Sequence, residues 1–337
     1  MPQKTFTDRL IAKIQARQSI LCVGLDPQIK QIPAQLKQKH QKQYPNPYEA
    51  VARCIIEFNQ KIIDATAPYA AVFKPQIAFY EQYGAWGVWA FEATLHHLEQ
   101  KGELAIADVK RGDGGQTAQA YQQGYCSKID LLNGSQMESL VKSPALTINV
   151  QTGDTMVKPF VQAAKNTGQG VFALVKTSFQ PNSVIENLLS KQNRPFWREI
   201  ALFVAKSGQG TEGEYGYRNF GIVAGATFPD ETQILRKILP NSWFLVPGYG
   251  AQGASAREAV TAANKDGLGI VVNSSRSINY AYLKQPKQPQ KPAGQSIDFV
   301  QAAAQAAKKA RDELNQALNQ ANKSIVAQPK PKTKQSK

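Results

Sequence analysis

The chain has 337 residues, 42% of them hydrophobic, and carries 40 Lys/Arg against 25 Asp/Glu, a formal net charge of +15. That is enough chain for one large α/β domain or two smaller ones. No apolar run approaches the roughly 20 residues that a bilayer span needs. The polar N-terminus, with Lys4, Asp8 and Arg9, does not read as a secretory signal. Cys22, Cys54 and Cys126 lie far apart without metal-ligand spacing, which predicts reduced thiols in a cytoplasmic protein. The charge invites a nucleic-acid partner, but eleven Lys/Arg against three Asp/Glu fall in residues 284–337. The body shows no basic stripe interleaved with aromatics, so a solvated tail is expected and nucleic acid is not.

In chain order, Phe6 to Ala16 has helical spacing, with Thr5 or Thr7 as cap, and Ile20 to Leu25 is an apolar strand closing at Asp26-Pro27. Residues 33–47, rich in Gln, Lys and Pro, read as an exposed excursion. Tyr48 to Ala65 is a helix, Ala70 to Phe73 a strand ending at Lys74-Pro75, and Trp86 to Gln100 a helix ended by Gly102. Leu104 to Ala107 is a strand and Gln116 to Tyr125 a short helix. Strands Ala145 to Val150 and Gly170 to Val175 flank the helix Val157 to Asn166. Helix Phe196 to Lys206, strand Phe220 to Ala224, helix Glu231 to Leu239, strand Trp243 to Val246, helix Ala254 to Asn264 and strand Gly269 to Val272 follow. Residues 284–296 form a Gln/Pro/Lys loop, 297–318 a closing amphipathic helix, and 323–337 a disordered basic tail.

Eight strands alternating with helices predict a (β/α)₈ TIM barrel in one domain, residues 1–322, with a doubly wound open sheet as the alternative. In a barrel the chemistry lies at the C-terminal strand ends. Asp26, Lys74, Asp108, Lys110, Thr177, Ser178, Thr227, Gln252 and Arg276 all follow apolar runs there. The densest stretch is Asp108-Val109-Lys110-Arg111-Gly112-Asp113. If the strand continues through Asp108 and Lys110, both side chains leave one face. Charges at a buried strand end are costly unless they pair with one another or with a ligand. A purely structural ion pair is the competing reading.

Gly248-Tyr249-Gly250-Ala251-Gln252-Gly253 matches a dinucleotide fingerprint. However, Asn273, not an acid, stands where the ribose ligand should be, and Asp266 precedes the strand. We read these glycines as a loop that lets backbone approach a phosphate. Arg276 offers the planar donor fork that phosphate oxygens suit. His40, His96 and His97 form no metal spacing, and neither a nucleophile elbow nor a P-loop is present.

These segments resemble the orotidine 5′-phosphate decarboxylase family, in its longer bacterial subgroup. The resemblance covers roughly residues 8–318. It rests on Gly24-Leu25-Asp26, Phe73-Lys74-Pro75, the Asp-x-Lys-x-x-Asp of Asp108 to Asp113, Lys176-Thr177-Ser178, Gly225-Ala226-Thr227-Phe228-Pro229, Pro247 to Gly253 and Ser274-Ser275-Arg276, in that order. It implies a homodimeric barrel that converts orotidine monophosphate to UMP and CO₂ in pyrimidine biosynthesis, with no metal, cofactor, membrane or nucleic-acid partner. It further implies a Lys74-Asp108-Lys110-Asp113 array with Lys110 as proton donor, and Asp113 and Thr117 reaching the other subunit's site. Asp26 matches a ribose ligand, Ser178 the pyrimidine reader, and Gln252 and Arg276 phosphate ligands. Two positions depart from the subgroup: Asn149-Val150-Gln151 replaces Asn-Pro-Tyr, and Gly114 stands where Ile is usual. A Mg²⁺-dependent keto-sugar-phosphate decarboxylase and a non-catalytic phosphate-binding barrel are the alternatives.

Overall fold

The computed structural model describes residues 4–179, 183–250, 252–284 and 298–325. The apolar runs become strands because Gly, Pro or polar residues bound them. β1 is Leu21–Leu25, β2 Val72–Pro75 and β3 Ile106–Arg111. A short antiparallel ribbon follows, β4 (Lys128–Asp130) with β5 (Gln136–Glu138). β6 is Ala145–Ile148, β7 Gly170–Lys176, β8 Arg218–Ala224, β9 Ser242–Val246 and β10 Ile270–Ser274.

Eight of these strands form one parallel sheet in the order β2-β1-β10-β9-β8-β7-β6-β3. Parallel bridges from Phe73 to Ala105 and from Gln76 to Asp108 join its two ends. The sheet therefore closes into the expected (β/α)₈ barrel, and the open doubly wound alternative falls, since it would leave two free edges. The helix Phe6–Arg17, capped by Thr5, seals one end. Phe6 meets Phe172 edge-on at 6.0 Å, the Thr7 amide donates to Asn219 Oδ1 at 3.0 Å, and Trp243 Nε1 donates to Thr7 Oγ1 at 2.5 Å. All three partners lie near the N-terminal ends of β7 to β9, so the C-terminal ends form the open face.

Three expectations need correction. Residues 33–47 are mostly exposed, as expected, but not irregular: Ala34–Gln43 is a helix that buries Leu36 and His40. Its Gln and Lys residues are good helix formers, no Gly or Pro interrupts them, and His40 Nε2 lies 2.7 Å from Glu57 Oε2. The expected helix Ala254 to Asn264 shrinks to one turn, Ala256–Ala259. The amides beyond it pair out of α register: Thr261 and Ala263 donate only three residues back, to the carbonyls of Glu258 at 3.2 Å and Val260 at 3.0 Å, and the Asn264 amide donates forward to Leu268 at 2.9 Å. The β4–β5 ribbon had no counterpart in the periodicity.

The closing helix spans Phe299–Gln320 and buries Ala303, Ala307, Ala310 and Leu314 along one face. Lys323 is docked on the body, and Ile325 packs against the core. The rest of the predicted tail, and all but Lys284 of the predicted loop 284–296, lie outside the described residues.

Candidate active site

The open face holds a cavity of about 360 Å³. Asp26, Lys74, Asp108, Lys110, Ser178, Gln252 and Arg276, at or beyond the C-terminal ends of six strands, all line it. The sequence had marked each of them. Asp113 and Thr117 do not line it. Both are exposed, and Asp113 Oδ1 accepts from the adjacent Gly114 amide at 2.6 Å.

The closed end is a charge array. Lys74 Nζ donates to Asp108 Oδ2 at 2.7 Å, and Lys110 Nζ donates to Asp108 Oδ1 at 2.5 Å. Lys74 and Asp108 are both buried, whereas the Lys110 side chain is 37% exposed toward the cavity. Burial by itself would push the Asp108 carboxyl up, but the Lys74 and Lys110 ammoniums outweigh it and hold the group well below the usual carboxylate range. Burial would likewise push Lys74 down, but the charges of Asp108 and Asp26 overcome it and keep the amine above its usual value. Asp26 goes the other way. Burial raises it, only partly opposed by Lys74 and Ser275, and its Oδ1 is buried with no hydrogen-bond partner among the described residues.

The Asp108–Lys110 contact is not made by regular strand alternation. Lys110 has φ +42°, in the left-handed region. Ala107 pairs with Leu146 and Arg111 with Ile148, so three residues of β3 face Thr147 alone. The strand bulges, and the bulge turns the lysine back onto the aspartate. Two partners of Asp108 escaped the sequence reading: Gln76 Nε2 donates to Oδ2 at 3.1 Å and Thr147 Oγ1 to Oδ1 at 2.8 Å. Gln76 had a signal, two residues beyond Lys74 on the same strand end. Thr147 showed only as one polar residue inside an apolar run.

The other walls are apolar at Leu174, Val223 and Leu245, with Phe79 and Phe179 nearer the rim. At the mouth Ser178 Oγ donates to Gln252 Oε1 at 2.7 Å. A Cβ on Gly225 would sit 2.6 Å from Ser178 Cα, so glycine is needed for the Thr177-Ser178 turn to cross the end of β8. Gly248, Gly250 and Gly253 have φ of +108°, +75° and +96°, conformations that only glycine adopts freely. Gln252 and Arg276 are exposed, and among the described residues no carboxylate lies within ion-pair distance of Arg276. Among those residues, too, no group of three or more His, Cys, Asp and Glu is placed to share a metal ion. Nor is any helix long and apolar enough to cross a membrane.

A family model described as orotidine 5′-phosphate decarboxylase / HUMPS family matches residues 19–288. A protein named orotidine 5′-phosphate decarboxylase from Clostridium kluyveri is 37% identical over 265 residues, 79% of this chain and 84% of that protein. One of the same name from Rhodopirellula baltica is 36% identical over 281 residues, 83% of this chain and 90% of the relative. Among solved structures, that of Leishmania donovani OMP decarboxylase is similar with a TM-score of 0.67 at 26% identity, covering 93% of this chain and 98% of that one.

Proposed function

The chain belongs to the orotidine 5′-phosphate decarboxylase / HUMPS family, and on that premise we propose that it is a carboxy-lyase converting orotidine monophosphate to UMP and CO₂. The observation that carries this reading is the Lys74–Asp108–Lys110 array at the closed end of an otherwise largely apolar cavity. Loss of CO₂ from C6 of the pyrimidine leaves a carbanion with no adjacent electron sink. The site must therefore stabilise the transition state over the ground state by on the order of 20 kcal/mol.

Lys110 is the group to do this. Its ammonium is held 2.5 Å from Asp108 yet remains open to the cavity. Placed beside C6, it offsets the developing negative charge and then donates the proton that completes UMP. Asp108 keeps Lys74 charged where water is excluded, and Lys74 in turn keeps Asp108 ionised. The unpartnered Oδ1 of Asp26 suits a ribose hydroxyl. Ser178 faces the ring, and Gln252 and Arg276 at the mouth take the phosphate. Phosphate contacts remote from C6 supply binding energy that the chemical step can use. Asp113 and Thr117, exposed outside this cavity, complete the site of a second copy of the chain in a homodimer.

The competing reading within the same family is Mg²⁺-dependent decarboxylation of a keto-sugar phosphate. It is disfavoured because a dication in this cavity would meet the buried Lys74 ammonium. The test is the ultraviolet loss of orotidine monophosphate by the purified protein, with and without EDTA, beside Lys110→Ala. Turnover indifferent to EDTA and lost in the variant supports the lysine mechanism. Turnover of a keto-sugar phosphate only with Mg²⁺ would overturn it.

A further inference from the structure

We propose that Thr147, a β6 residue that does not line the cavity, is a positioning residue of this site whose hydroxyl aims Asp108 and holds the turn at Lys110; the inference rests on the decarboxylase reading above. Three bonds meet on one atom. Thr147 Oγ1 accepts from the Val109 amide at 3.0 Å and from the Lys110 amide at 3.0 Å, and it donates to Asp108 Oδ1 at 2.8 Å. A hydroxyl has two acceptor lone pairs and one proton. With both lone pairs taken by amides, the proton can go only to the carboxylate. The direction of the bond to Asp108 is thus dictated by the backbone.

The arrangement answers a specific deficit. Where three residues of β3 oppose one of β6, the amides of Val109 and Lys110 lose their places in the parallel ladder. Buried amides without partners are costly, and Lys110 additionally sits at φ +42°, which an L-residue adopts only when its surroundings enforce it. Thr147 is fully buried and supplies the missing acceptor for both amides. The same atom then fixes the carboxylate plane. Oδ1 receives Lys110 and Thr147, and Oδ2 receives Lys74 and Gln76, one cation and one neutral donor each. Without the Thr147 proton the carboxylate can rotate, and without its lone pairs the bulge that carries Lys110 loosens. Either change moves the ammonium relative to C6, where misplacement of about 1 Å is expensive.

The experiment compares Thr147→Val, which keeps the shape and deletes the hydroxyl, with Thr147→Ser, which keeps the hydroxyl, in the full chain. With orotidine monophosphate, Thr147→Val is expected to lower kcat by about 10- to 100-fold, the size of one hydrogen bond to a charged group, with KM within about threefold. Thr147→Ser is expected to retain kcat within about threefold. Amide hydrogen exchange at Val109 and Lys110 should accelerate in the valine variant and not in the serine variant. That readout needs no turnover, so it still judges Thr147 if the wild-type protein proves inactive on orotidine monophosphate and the decarboxylase reading fails. A valine variant with unchanged kcat, a loss carried by KM, or a serine variant as impaired as valine would overturn the proposal. If Thr147→Val does not fold, Thr147→Ala takes its place. Unfolding of both, with serine fully active, would make the residue structural and also overturn it.

Discussion

At the closed end of the cavity, Asp108 accepts four donors, two cationic and two neutral, and Lys74 is buried against it. At the mouth, Gln252 and Arg276 stand exposed, and Arg276 has no carboxylate partner among the described residues. One end has its charges answered within the fold; the other is left to be answered by a ligand. Groups that act on the developing charge do most when they need not reorganise during the reaction, so they are fixed in advance. Groups that capture the phosphate gain from being free beforehand, since their new contacts supply the binding energy.

The largest break in this contrast is Asp108→Asn. It leaves the Lys74 and Lys110 ammoniums without their shared carboxylate, so turnover is expected to fall by about 10³-fold or more and unfolding free energy by about 3–5 kcal/mol. Assay of turnover and denaturant melts measures both; a variant as stable as wild type would mean the array is not coupled to the fold. The same pair predicts pH dependence. Asp108 is held below its ordinary value, so its contribution is present above about pH 4, the unfolded value, and is lost as pH falls through that value toward the folded one. Lys74 is held above its ordinary value, so its share is complete below about pH 10 and is lost at higher pH. In the Asp108→Asn variant the acid limb of the stability curve should flatten.

A second test asks whose closed end Asp113 serves. If the chain forms the homodimer proposed above, Lys110→Ala and Asp113→Ala subunits, each inactive alone, should recover about one working site in four after random mixing, because half the dimers would be mixed and each mixed dimer would have one intact site. No recovery would sink the shared site. At the mouth the effect should be smaller and of another kind: Arg276→Ala is expected to raise KM about 10- to 100-fold, with little change in kcat or thermal midpoint. A kcat loss equal to the KM change would place Arg276 in the chemical step. The smallest effect is far from both ends. Lys323→Ala removes two bonds to the carbonyls of Val260 and Thr261 and should cost about 1–2 kcal/mol of stability with turnover intact.

Much of this layout was legible in the linear chain. Alternation of apolar runs and helical spacing is a local property, and it specified eight strands and the strand ends at which Asp26, Lys74, Asp108 and Ser178 stand; closure into a barrel was decided by the bridges between β2 and β3. Composition fell short where it stood in for packing. The Gln/Lys-rich residues 34–43 are largely solvated as their composition suggests, but Leu36 and His40, four apart on one helix face, are buried. The run after Ser255 looked helical, but its last amides pair out of α register, Ala263 with Val260 and Asn264 with Leu268.

The site divides along the same line. The residue types and spacing of Asp108, Lys110 and Asp113 are carried by six consecutive positions, so the sequence alone determined that charge gathers at one strand end. That Lys110 reaches Asp108 through a bulge at φ +42°, and that a threonine 37 residues away in the chain answers its amide, was decided only by the tertiary structure. Periodicity reports which way a side chain leaves its own strand. A hydroxyl that serves two amides and a carboxylate is defined by the register between two strands, and register is a property of their pairing.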